Sequence, residues 1–153
     1  MNKKILAFVC DGEKFLALRS NQDKKHCEDQ WFTVTGSVEQ GESFEDAVVR
    51  EIFEETSLKV NSMLYLNWDS IYNWQNQDHE EKNFIAFVEP NKIKLNEEHI
   101  DFEWLRLSEF IDRLNWGLDK GELKKVLEKA IKKEFYFNTP KVDDFRKNRF
   151  ISS

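Results

Sequence analysis

Gly36-Ser37-Val38-Glu39-Gln40-Gly41-Glu42-Ser43-Phe44-Glu45-Asp46-Ala47-Val48-Val49-Arg50-Glu51-Ile52-Phe53-Glu54-Glu55-Thr56-Ser57-Leu58 is the stretch on which the fold turns. It opens as a loop, in which Gly36 and Gly41 permit tight turns and the close approach of a ligand. From Ser43 to Ser57 the spacing predicts a helix. Ser43 is a good N-cap, Glu45 and Asp46 place negative charge in the first turn, and Phe44, Ala47, Val48 and Ile52 recur as one apolar stripe. Glu51, Glu54 and Glu55 stand at i, i+3 and i+4, so three carboxylates share a helix face. Arg50 precedes Glu54 by four residues and can pair with it. A loop, a helix and a carboxylate cluster in that order build a hard-cation site, and oxygen ligands suit Mg²⁺ or Mn²⁺. Alone, such an acidic run is usually a solvated helix face.

Upstream, Ile5–Cys10 and Phe15–Leu18 are apolar runs flanking Asp11-Gly12, the pattern of a β-hairpin. Residues 20–30 are polar and read as a loop, and Trp31–Thr35 reads as a short strand ending at Gly36. Downstream, residues 63–74 and 83–89 alternate as strands around a polar, exposed loop at 75–82. Lys92–Leu95 and Phe102–Leu105 are shorter strand candidates. Ser108–Leu114 is a short helix. Asp119 opens a longer one, with Glu122 three residues on as a capping box. Leu123, Val126, Leu127, Ala130 and Ile131 follow helical spacing toward a core. Strands and helices interleave without regular βαβ alternation, so a mixed sheet covered by helices, of α/β or α+β class, fits best. One domain over 1–153 is expected, with an unplaced segment at 136–153 that mixes aromatics with Lys and Arg.

Composition narrows the function classes. At 153 residues, 40% hydrophobic and 14% aromatic, the chain can bury a core and is not of disordered type. Its net charge of −6 argues against a protein living on a nucleic-acid backbone. An acidic protein that handles phosphates must draw positive charge from elsewhere, and a divalent cation is the obvious source. Cys10 and Cys27 lie in no metal spacing, and a secreted disulfide scaffold would carry more. The apolar run after Met1-Asn2-Lys3-Lys4 is too short for a signal peptide, and no run approaches a membrane span. The expectation is a soluble, cytoplasmic protein with a small-molecule substrate and neither a nucleic-acid nor a membrane partner.

Gly36, Glu42, Arg50, Glu51, Glu54 and Glu55 have the spacing of the Nudix box, GX5EX7REUXEEXGU, with Ile52 and Leu58 at apolar U positions. A chance match at six such positions is on the order of one in 10⁷ per start point. The sequence thus resembles the Nudix hydrolase family. One position departs: Ser57 stands where the box has Gly. That residue lies near the helix end as a left-handed cap, so Ser should cost roughly 1 kcal/mol of backbone strain rather than activity. The likeness extends to Trp31–Glu42 (WFTVTGSVEQGE) and to Glu98-His99-Ile100-Asp101-Phe102-Glu103-Trp104-Leu105. Both are similar to segments of dihydroneopterin triphosphate and nucleoside triphosphate pyrophosphohydrolases.

The resemblance implies an α/β/α sandwich around a mixed sheet, with the box as loop-helix-loop, and hydrolysis of a nucleoside diphosphate linked to another group. It implies metal ligation by Glu51, Glu54, Glu55 and the Gly36 carbonyl, with Mg²⁺ as cofactor and Mn²⁺ as a substitute. Glu98 resembles a residue that reaches the metal from outside the box, as ligand or as general base, with Glu51 the competing base. Arg50 belongs to this catalytic group as the residue that orients Glu54. Glu42 fixes the loop to the helix. Glu39, Gly41 and Ser57 are structural positions of the box. Arg19, at a strand end, is placed to meet a substrate phosphate. Trp31 and Trp74 are candidates for stacking on a base or pterin ring, with Trp68, Tyr72 and Trp116 in the same class, although most such aromatics are core. His26, His79 and His99 show no ligand spacing and read as surface or hydrogen-bonding residues.

The substrate expected from these segments is dihydroneopterin triphosphate or a deoxynucleoside triphosphate, cleaved to a monophosphate and pyrophosphate. ADP-sugars and dinucleoside polyphosphates are the alternative. A non-catalytic nucleotide-sensing module is the rival from another class, and the intact box glutamates argue against it. Residues 136–153 are a candidate partner or homodimer segment.

Overall fold

The computed structural model describes residues 1–21 and 30–132. The expectations for His26, Cys27 and 136–153 lie outside these residues, and the Trp74 side chain is likewise undescribed. Among the described residues seven strands and three helices follow in the order β1 (Asn2–Cys10), β2 (Phe15–Ser20), β3 (Trp31–Phe32), β4 (Val34–Ser37), α1 (Phe44–Thr56), β5 (Val60–Trp74), β6 (Gln77–Val88), β7 (His99–Leu105), α2 (Leu107–Arg113) and α3 (Lys120–Ile131). The strands form one mixed sheet. Its path is β3-β2-β1-β6-β5, with β4 paired to β1 and β7 to β2. β1 and β6 run parallel, Asn2 opposite His79 through Cys10 opposite Phe87, and the other pairings are antiparallel.

Both faces of β1 are apolar and buried, as a central strand covered on two sides requires. Ile5, Ala7 and Val9 pack with Leu16, Leu18, Val34, Phe84 and Ala86 against Ala47, Val48 and Ile52 of α1. Leu6, Phe8 and Cys10 pack with Phe15, Ala17 and Ile85 against α2 and α3 through Phe110, Ile111, Leu123, Val126 and Leu127. The result is the expected helix–sheet–helix sandwich, with α1 on one face and α2 and α3 on the other. Burial pushes the Cys10 thiol up to about 11, so it packs as a small hydrophobe. Among the described residues no helix is long and apolar enough to cross a membrane.

The sequence reading needs four corrections. The hairpin after Asp11-Gly12 forms its turn, with the Asp11 carboxylate accepting from the N–H groups of Glu13 and Lys14. Its strands then diverge: β2 meets β1 only at Cys10 opposite Phe15, and β4 takes the edge from Lys4 to Ala7. Trp31–Thr35 is not one strand. It breaks at Thr33, whose hydroxyl donates to the Ala7 carbonyl, and Gly36 lies inside β4. Residues 77–82 are not a loop but the first half of β6. Gln75 and Asn76 both take left-handed backbone (φ 53° and 62°), the two-residue turn that matches hairpin twist. His79 and Glu81 are consequently buried. Lys92–Leu95 forms no strand; its Lys94 N–H serves the end of α1 instead, donating to the Thr56 carbonyl, and the following Asn96 N–H donates to that of Glu55.

Candidate active site

The box helix begins where Ser43 Oγ accepts from the Asp46 N–H. It ends at Ser57, which takes the left-handed conformation (φ 68°) and donates its N–H to the Phe53 carbonyl at 2.8 Å. The Gly-to-Ser departure thus falls on a cap position. Gly41 supplies the positive φ (83°) of the preceding loop. Gly36 is needed for a different reason. A Cβ there would lie 2.2 Å from Glu51 Cδ, so only glycine lets β4 and the Glu51 carboxylate meet.

Arg50 is the hub between loop and helix. Its guanidinium donates to Glu42 at 2.8 and 3.0 Å, to Glu51 at 2.7 Å and to the Ser37 carbonyl at 2.8 Å. Glu39 lies 3.0 Å away. Glu54 is the longest of its carboxylate contacts, at 3.3 Å, so Arg50 is not chiefly the partner of Glu54. The i,i+4 contact is present, but the loop closes over the guanidinium and offers nearer acceptors. Glu42 also accepts from the Glu39 N–H, tying the loop upon itself. The Arg50 hydrogen bonds hold the Glu42 carboxyl below its ordinary range, and the same acids push the Arg50 guanidinium further up, so both stay charged.

Glu55 has a different environment. Its side chain is 3% exposed, and Oε1 lies 2.6 Å from Nε2 of His99, itself 5% exposed. Glu98 joins them: one ligand atom from each of Glu55, Glu98 and His99 lies within 4.8 Å of the other two. The segment carrying Glu98 is braced from several sides. Its N–H donates to Asn96 Oδ1, Asn96 Nδ2 donates to Glu98 Oε2 at 3.4 Å, and its carbonyl accepts from the Asn21 N–H at 2.8 Å.

The expected site residues therefore separate into three places. Gly36, Glu51, Glu54, Arg50, Glu42 and Glu39 meet around the guanidinium, and Glu55 and Glu98 meet at His99. Arg19 and Trp31 lie in register with each other on β2 and β3, and Arg19 stands opposite Asp101 on β7. The Trp31 ring carries the Arg113 guanidinium 4.9 Å from its centroid. Trp68 and Trp116 are core residues, 6.3 Å apart. His79 is buried against the Tyr72 ring, and His99 is a buried hydrogen-bonding residue, so neither is at the surface. His99, Asn96 and Asn21 are the residues that sequence reasoning missed here. The only signal for His99 was its place beside Glu98.

A divalent cation suits this chemistry. Glu55, Glu98 and His99 offer two carboxylate oxygens and one imidazole nitrogen close together, and Gly36 leaves room for the Glu51 carboxylate against β4.

Residues 2–127 match the Nudix domain. The chain belongs to the Nudix family. Among curated proteins, this Nudix chain is 40% identical over 78 residues to the NAD-capped RNA hydrolase NudC of Mannheimia succiniciproducens, a match covering 50% of this chain and 28% of that protein. Among solved structures, the MutT protein from Methanosarcina mazei Go1 superposes with a TM-score of 0.64 at 19% identity, covering 86% of this chain and 93% of that one. The E. coli dihydroneopterin triphosphate pyrophosphohydrolase gives 0.62 at 20% identity, covering 86% and 95%. At these identities the two structural likenesses establish the shared Nudix sandwich, and the substrate is a separate question.

Proposed function

We propose that the chain, as a single domain, is a Mg²⁺-dependent pyrophosphohydrolase that cleaves a nucleoside triphosphate-like substrate to a monophosphate and pyrophosphate. One observation supports the reading: Glu55 of the box helix meets Glu98 from a separate segment beside His99. Glu51, Glu54, Glu55, Glu98 and the Gly36 carbonyl would hold the cation, Mg²⁺ or in its place Mn²⁺. When bound, such a cation neutralises charge on phosphate oxygens and favours hydroxide over water. The chain's own groups do the rest. Glu98 or Glu51 takes the proton of the attacking water. Arg50 fixes Glu51 and the loop carbonyl of Ser37, Arg19 meets a phosphate, and Trp31 or Trp74 stacks on the planar group.

A second reading has its own support. The relatives matched over half of this chain are named as NAD-capped RNA hydrolases, which makes a dinucleotide with an internal pyrophosphate a real competitor. Such a substrate would also bring a nucleic-acid partner, which the acidic composition argues against. ADP-sugars and dinucleoside polyphosphates belong to the same alternative. A cytoplasmic location and a homodimer remain parts of the proposal.

The test is chromatography of products from dihydroneopterin triphosphate, dNTPs, NAD, ADP-ribose, diadenosine polyphosphates and an NAD-capped RNA, each with Mg²⁺ and with EDTA. Greater kcat/KM for a triphosphate, with pyrophosphate as product, supports the first reading. Faster cleavage of NAD or its capped RNA replaces it with the second. No Mg²⁺-dependent cleavage of any of them would reject both.

A further inference from the structure

We propose that His99 is a positioning residue for the carboxylate set, fixing Glu55 and docking the Glu98 segment onto the box helix. The inference rests on the metal-site reading above and concerns a residue outside the box.

Two contacts from one short segment grip one helix residue. His99 Nε2 meets the Glu55 side chain at 2.6 Å, and the Asn96 N–H reaches the Glu55 backbone carbonyl at 3.4 Å. The His99 N–H in turn bonds the Asn96 carbonyl, which closes the segment into a turn. Glu98 lies inside that turn, so its position follows from the docking. The pair spans 44 residues of sequence and is almost wholly buried.

A carboxylate removed from water needs a donor, and an ionised Glu55 can only accept, so in that state the Nε2 atom carries the proton of the contact. An alkyl side chain in place of His99 would leave that Glu55 oxygen without this donor. It would also remove one of the contacts that dock the segment presenting Glu98 on the helix. Neither requires the imidazole to touch substrate or cation. A donor behind a ligating carboxylate sets which rotamer it holds, and loss of such a partner typically weakens metal binding ~10–100-fold.

The experiment compares wild type, His99→Ala and His99→Gln as full chains. Mn²⁺ binding is measured by calorimetry without substrate, and activity is measured against Mg²⁺ concentration at saturating substrate. His99→Ala should raise the Mn²⁺ Kd and the half-saturating Mg²⁺ concentration by ~10–100-fold. Substrate KM at saturating Mg²⁺ should stay unchanged. His99→Gln, whose amide can still donate, should recover most of the loss. In metal-free wild type, ¹⁵N NMR should show a slowly exchanging Nε2–H on His99, a readout that survives if either variant fails to fold.

A folded His99→Ala with wild-type Mn²⁺ affinity would overturn the inference. So would a His99→Gln no better than His99→Ala, a fast-exchanging Nε2–H, or direct imidazole coordination seen as nitrogen coupling in the Mn²⁺ EPR signal. Absence of Mn²⁺ binding by wild type, or wild-type affinity in Glu51→Gln, would instead reject the metal-site reading on which this one rests.

Discussion

Arg50 and His99 each hold glutamates of the same helix, in opposite ways. The Arg50 guanidinium is about a quarter exposed and is shared among four carboxylates and a carbonyl, two of the acids being more than half exposed. His99 and Glu55 form one contact almost without solvent. A shared, screened network loses little when one member goes, because the guanidinium keeps other acceptors. A buried pair is not screened by solvent, so losing one partner costs the other more. The helix therefore has a tolerant end facing the loop and an intolerant end facing the Glu98 segment.

The largest expected effect tests the intolerant end. Glu55→Ala should lower unfolding stability by about 3 kcal/mol, from the loss of a buried contact to the imidazole and of the side chain's own packing. Glu54→Ala should cost ~0.5 kcal/mol or less. Urea unfolding of both variants at pH 7 without metal measures the contrast, and equal losses would break it.

Next comes the contact between β4 and the helix. Gly36→Ala must move Glu51, since the new Cβ would overlap its carboxylate. A shift of about 1 Å in a reacting group costs ~10²-fold in rate, so kcat should fall by about that much while circular dichroism shows the fold intact. An unchanged kcat would remove Glu51 from the catalytic group.

A smaller effect separates the two ends by pH. Glu42 has its carboxyl held down in the fold, chiefly by the Arg50 hydrogen bonds. A depressed folded pKa contributes stability that is present above the unfolded value, near 4.5, and is lost as pH falls through the folded one. Melting curves of wild type and Glu42→Gln should lie apart at neutral pH and converge below about 4.5. A constant gap across that range would mean that Glu42 acts through shape rather than charge.

Smallest of all is Ser57→Gly. Glycine relieves the left-handed strain at φ 68° but gives up the Ser57 hydroxyl's contact with the Lys94 carbonyl at 3.4 Å, so stability should rise by ~0.5 kcal/mol with kcat unchanged. A loss of stability would show that the hydroxyl contact outweighs the strain.

What the sequence alone determined was local. Ser43, the apolar stripe and the acidic spacing define α1, because caps and helix faces depend on residues within a turn or two of one another. The left-handed state of Ser57 was legible for the same reason, and so were the alternating strands of a two-faced core. Tertiary structure decided the rest. The polar run from Gln77 to Lys82 is strand because β1 runs parallel beside it and the Gln75–Asn76 turn feeds it back along β5, although its own side chains carry no apolar alternation. Lys92–Leu95 has strand-like residues but its Lys94 N–H goes to the Thr56 carbonyl at the end of α1. The spacing within the box could suggest which glutamates share a face. It could not say that Arg50 would turn toward Glu42 and Glu51, or that Glu55 would be buried against a histidine 44 residues away. Those choices depend on distances between segments that only the folded sheet brings together.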